Sequence, residues 1–106
     1  MKIGVVSPYA ISRKGLCFWL SSFPEISVVV QVEDLVAGLE SVKKSGPSLL
    51  LLDALTPSAD LEVVSRLRKM LPPTKILLLS DRVDEEFELR AIKAGAWGCL
   101  SKTLHR

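Results

Sequence analysis

Leu49-Leu50-Leu51-Leu52-Asp53 is a run of four leucines closed by an aspartate. Four apolar residues in a row are too few for a buried helix, and they do not alternate with polar ones, so both faces of a strand would be covered. Strands of that kind belong to parallel sheets with helices on each side. The same pattern extends outward from this run. Ile3-Gly4-Val5-Val6 and Ile26-Ser27-Val28-Val29-Val30 precede it, and Ile76 to Leu79 and Trp97 to Ser101 follow. Between these runs, apolar residues recur at helical spacing. They are Ile11, Gly15, Leu16, Trp19 and Leu20; then Leu35, Leu39 and Val42 behind a capping Asp34; then Leu61, Val64, Leu67 and Leu71; then Leu89 and Ile92 between about Asp84 and Ala94. Phe23-Pro24-Glu25, Gly46-Pro47, Pro72-Pro73 and Gly95 punctuate the series.

Strand and helix thus alternate through five strands, with no helical pattern after the fifth. Right-handed crossovers make such a chain a doubly wound α/β sandwich. The missing last helix suggests either a piece of a longer protein or an open face that another subunit covers.

The chain has 106 residues, of which 48% are hydrophobic and 25% charged. One soluble domain spanning 1–106 is expected. Fourteen basic residues against twelve acidic ones give +2, too little and too scattered along the sequence to suggest a nucleic-acid surface. Cys17 and Cys99 have neither a CxxC nor a metal-ligand spacing and are expected to be inert half-buried thiols. No apolar run approaches membrane-spanning length and no signal peptide is visible, so a cytoplasmic protein with no membrane partner is expected. The lone His105 reads as a solvated tail residue.

Ligand sites in open α/β sheets lie at the carboxyl ends of the strands. Those ends read Ser7-Pro8, Asp53, Ser80-Asp81 and Ser101-Lys102. A carboxylate, a hydroxyl and an ammonium therefore converge on one rim. Leu49 to Asp53 followed by Thr56-Pro57 resembles the third-strand motif of response-regulator receiver domains, the CheY-like fold. Ser80 and Lys102 fall where that family has its Ser/Thr and its lysine, and Ala94 to Lys102 resembles the segment leading to that lysine. Arg90-Ala91-Ile92-Lys93-Ala94-Gly95-Ala96 is similar to the subfamily that carries a C-terminal helix-turn-helix, the NarL/LuxR type. The resemblance implies a flavodoxin-like, five-stranded parallel sheet of order 2-1-3-4-5, and a phosphoacceptor role for Asp53.

The departures from the family pattern carry as much weight. Receivers place two adjacent acids after the first strand, and with the phosphoacceptor these hold Mg²⁺; here the positions read Ser7-Pro8. Magnesium is bound through carboxylates, phosphate and water, and Asp53 is the carboxylate that remains. Asp81 is a substitute acid only if it turns inward. A pocket of Asp53 and Lys102 has no net charge and can satisfy itself without a metal, so weak or absent Mg²⁺ binding and no cofactor are expected. Cys99 stands where the family often has a switching aromatic. Ser7 is placed either to cap the first helix or to donate into the pocket, and capping is the expectation here. Ser80 reads as a pocket hydroxyl.

The aromatics point to partner surfaces. Leu16, Trp19 and Leu20 are assigned to the core, Phe18 lies off that stripe, and Phe23 and Trp97 flank elements. Phe18, Phe23 and Trp97 are candidate interface residues, or else pack locally. The expected function is non-enzymatic: a degenerate receiver at the front of a transcription regulator, working by dimerisation or by holding a regulatory protein, with DNA bound only through a domain outside this chain. The competing reading is a working phosphoacceptor labelled on Asp53 by a histidine kinase. A nucleotide-binding domain is disfavoured, because Ser7-Pro8-Tyr9-Ala10 offers no glycine-rich loop and Pro8 has no N–H.

Overall fold

The computed structural model describes residues 1–53, 57–80 and 84–101, and the side chains among them other than those of residues 36 and 57–60. Nine elements alternate: β1 (Lys2–Val6), α1 (Ala10–Ser21), β2 (Ser27–Val32), α2 (Leu35–Ser45), β3 (Leu49–Asp53), α3 (Pro57–Met70), β4 (Lys75–Ser80), α4 (Glu85–Ala94) and β5 (Gly98–Ser101). The strands form one parallel sheet of order β2-β1-β3-β4-β5. Its central strand is the leucine run, buried at every position.

Three helices cover one face. Val42 of α2, Val64 and Leu67 of α3, and Phe87 and Ala91 of α4 pack on Leu50, Leu52, Ile76 and Leu78. Leu50, Leu67, Ile76 and Leu78 are fully buried, and each such burial contributes about 1.5–3 kcal/mol. The other face carries Ile3, Val5, Leu49 and Leu51 against Cys17 and Leu20 of α1. Cys99 pairs with Leu78 and shares its core, so Leu100, beside Leu79, points to the α1 side; it is 51% exposed. Among the described elements, α1 alone packs on that face.

Local chemistry sets the element ends. Asp34 caps α2 by accepting from the Ala37 N–H at 2.9 Å, and Asp84 caps α4 by accepting from the Phe87 N–H at 2.8 Å. Gly46 and Gly95 end those helices in the left-handed region, at φ 56° and 118°.

Two helix faces differ from the sequence expectation. On α1 the inward face is Arg13, Leu16, Cys17 and Leu20, whereas Trp19 is 59% and Ile11 88% exposed. Trp19 instead meets Phe23 edge to face, with ring centroids 5.3 Å apart. Ile11, Gly15 and Phe18 recur at helical spacing on the outward side, so the residues Ile11, Gly15, Leu16, Trp19 and Leu20 span two faces of the helix rather than one. On α4 the buried residues are Phe87 and Ala91, and Leu89 and Ile92 face solvent.

The charges are also not dispersed in space. Strands run one way and helices return, so strand starts and helix ends share the amino edge of the sheet. Lys2, Lys43, Lys44, Arg68, Lys69, Lys75 and Lys93 all lie there, and all are exposed. Glu33, Asp34, Asp53, Asp84, Glu85 and Glu86 lie at the opposite, carboxyl edge. No helix of the described residues is long and apolar enough to cross a membrane.

Candidate functional site

The site lies at the carboxyl edge, where β1, β3 and β4 end together. Asp53 is the last residue of β3 and is buried, in register with Leu79 of β4. Ser80 closes β4 and is also buried, paired with the half-buried Ser101 at the end of β5. Ser7 directly follows β1 and is fully buried.

Ser7 does not cap α1. Its hydroxyl donates to Asp53 Oδ2 at 2.8 Å. The helix begins three residues later, at Ala10, with Tyr9 at the cap position and no side-chain capping bond. The reason is burial: Ser7 continues the line of β1, its N–H donating to the Val32 carbonyl of β2 at 3.0 Å, which aims its side chain at the neighbouring strand end. Pro8, half-buried, then turns the chain out of the sheet.

Arg13 completes this arrangement. Its guanidinium Nη1 donates to the Ser7 carbonyl at 2.7 Å, from the inward face of α1. Ser7 is thereby held through its N–H, its carbonyl and its hydroxyl. Sequence reading passed over Arg13; the available signal was a cation within the stripe Arg13, Leu16, Cys17 and Leu20, which is otherwise apolar.

Lys102 and Asp81 lie outside the described residues. Cys99 is buried in the three-helix core rather than in the pocket, and burial, with a smaller effect of Glu88, raises its thiol above the ordinary value. Cys17 is raised as well, by burial against a weaker opposing effect of Arg13. Both cysteines are free and buried. The interface candidates belong to different parts of the fold: Phe18 and Phe23 to α1 and its end, and Trp97 to the start of the edge strand β5, with Lys75 Nζ 5.3 Å from its ring centroid.

Among the described residues, the donor set at the carboxyl edge suits Mg²⁺ poorly. Magnesium needs near-octahedral oxygen ligands with carboxylates among them. Among the described residues no three of His, Cys, Asp and Glu gather. Asp53 Oδ2 already accepts a proton-bearing hydroxyl, and a neutral serine stands where a second carboxylate would be needed.

A sheet of this order with a buried aspartate closing its central strand defines the receiver architecture, and residues 5–106 match the family model of the response regulator receiver domain. The chain belongs to that family. Its relatives are of the NarL/LuxR type. It is 32% identical over 104 residues to the oxygen regulatory protein NreC of Staphylococcus epidermidis, covering 96% of this chain and 48% of that protein. It is 30% identical over 105 residues to the transcriptional regulatory protein DegU of Brevibacillus brevis, covering 98% and 44%. The chain thus spans about half the length of these relatives. Among solved structures, the signal receiver domain of the response regulator NarL from Mycobacterium tuberculosis superposes with a TM-score of 0.83 at 28% identity, covering 98% of this chain and 85% of that one.

Proposed function

We propose that residues 1–106 are the receiver half of a DNA-binding transcription regulator, and that this receiver works as a non-enzymatic interaction module without Mg²⁺-dependent phosphorylation. The observation that carries the reading is the Ser7–Asp53 hydrogen bond. Phosphoryl transfer to a carboxylate needs the transferring group's charge to be clamped and neutralised. In this pocket Asp53 Oδ2 accepts from the neutral hydroxyl of Ser7, whose backbone Arg13 and Val32 hold in place. Displacing that hydroxyl leaves a buried polar group to be satisfied elsewhere.

The interaction would run through α1. Ile11, Phe18, Trp19 and Phe23 form an exposed apolar surface on and just after this helix. Large aromatic residues grouped outside the core are characteristic of partner contacts. Trp97 stands apart from that group, among cations, which favours the α1 side for self-association.

An NMR titration tests the metal half of the reading. The backbone amides of Ser7 and Asp53 should stay unmoved up to 10 mM Mg²⁺. Saturable shifts confined to these strand ends would contradict it. Trp19 and Trp97 are unsuited as reporters, because both lie away from the carboxyl edge.

A further inference from the structure

The basic amino edge plays no part in the reading of the pocket. Seven exposed cations gather there, with Glu25, just before β2, as the acid beside them among the described residues. None of the seven is in an ion pair with another described residue. Cations in the last turn of a helix complement its carbonyl end. That accounts for Lys43, Lys44, Arg68, Lys69 and Lys93 one at a time. It does not account for Lys2 and Lys75, which begin strands, nor for Trp97, 62% exposed beside Lys75.

Arg68 is tied down at the centre of this edge. Arg68 donates through Nη1 to the carbonyls of Pro72 and Thr74, at 3.0 and 3.3 Å, and its stem packs on Gly95. Arg68, Pro72, Lys75, Gly95 and Trp97 line a groove of about 220 Å³. The ends of α2, α3 and α4 lie on one face of the sheet, and packed helices sit about 10 Å apart, so the cations form a row on the order of 20 Å long.

We propose that this amino edge binds the phosphate backbone of duplex DNA without reading sequence. A row of uncompensated lysines and arginines is the footprint of a polyanion. Trp97 is the exposed aromatic in the groove, and Met1, Phe23 and Met70, the other exposed apolar residues at strand starts and helix ends, lie outside it, so the row itself is charged rather than apolar, which favours a polyanion over a lipid surface or the dry centre of a protein interface. The acidic carboxyl edge would face away, which orients the molecule on the duplex.

The test is fluorescence anisotropy of the whole chain with a labelled 24-base-pair duplex of random sequence. Four to six phosphate contacts predict a Kd of about 1–100 µM near physiological salt, and an affinity that falls roughly 100- to 1000-fold between 50 and 200 mM salt. Neutralising Lys44, Lys69 and Lys75 together to Gln should cost at least tenfold in affinity at 50 mM salt and flatten the salt dependence by about three contacts. The charge-matched control Lys14→Gln, Arg66→Gln and Arg90→Gln should change affinity by less than about threefold, and circular dichroism melting checks that both triple variants fold. The proposal is overturned if the unmodified chain fails to bind at 50 mM salt, or if the control loses as much as the edge variant. It is equally overturned if anionic phosphatidylserine vesicles or poly-glutamate bind more tightly than the duplex at equal salt. The outcome is separate from that of the Mg²⁺ titration, because the two sites occupy opposite edges of the sheet.

Discussion

Ser7 donates its hydroxyl proton to Asp53 Oδ2 across 2.8 Å of buried space, joining the ends of β1 and β3. The bond ties together the ends of two strands at the carboxyl edge of the sheet.

Removing the donor tests that junction. Ser7→Ala leaves a buried carboxylate oxygen without its hydroxyl and should lower stability by about 1–3 kcal/mol, read from urea unfolding. Arg13→Gln should cost about 1 kcal/mol through the lost bond to the Ser7 carbonyl. The two changes share Ser7, so the double variant should lose less than the sum. Additive losses would show that Arg13 does not act through Ser7.

The outward stripe of α1 makes a different prediction. Phe18 is 82% exposed, and Phe18→Glu should leave the fold intact while abolishing self-association, measured by size-exclusion chromatography with light scattering. Trp97→Ala should leave the oligomeric state unchanged, since its ring lies with Lys75 at the amino edge. The opposite pattern would place the contact on the β5 side.

Gly95 ends α4 at φ 118°, and a Cβ there would collide with the Arg68 stem at Cγ. Gly95→Ala should therefore combine backbone strain with displacement of Arg68, at a cost of about 1–3 kcal/mol. Thermal melting reads this loss directly. The Gly15→Ala variant should be neutral or stabilising, because the added methyl meets open space within a helix.

The two thiols set an alkaline limit. Burial raises both above the ordinary value of 9.0, so the folded chain holds these protons where the unfolded chain releases them. Their contribution is fully present below pH 9.0 and is lost as the pH climbs from there through the folded values. Chemical-denaturation stability should fall with rising pH above about 9, and Cys17→Ala with Cys99→Ala should flatten that decline. At pH 8 the native thiols should react slowly with iodoacetamide, and urea should accelerate them.

The element types and the strand-end position of Asp53 were legible from residues alone, because the leucine run and the strand-end polar residues carry a period and a position, whereas the strand order came from the family resemblance. The helix faces were harder. On α1, Ile11, Trp19 and Leu20 share helical spacing, and nothing in that spacing says that Cys17 and Leu20 face the sheet while Trp19 turns toward Phe23. Of the two roles open to Ser7, a serine near a helix start favours the cap, whereas its donation to Asp53 arises from the β1–β3 pairing, which the local sequence does not show. The charged edge was invisible along the chain: Lys2, Lys44 and Lys75 lie far apart in sequence and meet only once the strands run parallel.

Whether Asp53 accepts a phosphoryl group decides between an interaction module and a working phosphoacceptor. Incubation of the chain with acetyl phosphate and 10 mM Mg²⁺, followed at once by intact mass spectrometry, measures this directly. The unmodified chain should show no stoichiometric adduct, and a variant carrying Ser7→Asp with Pro8→Asp should gain one that Asp53→Asn removes. A stoichiometric adduct on Asp53 of the unmodified chain would contradict the account.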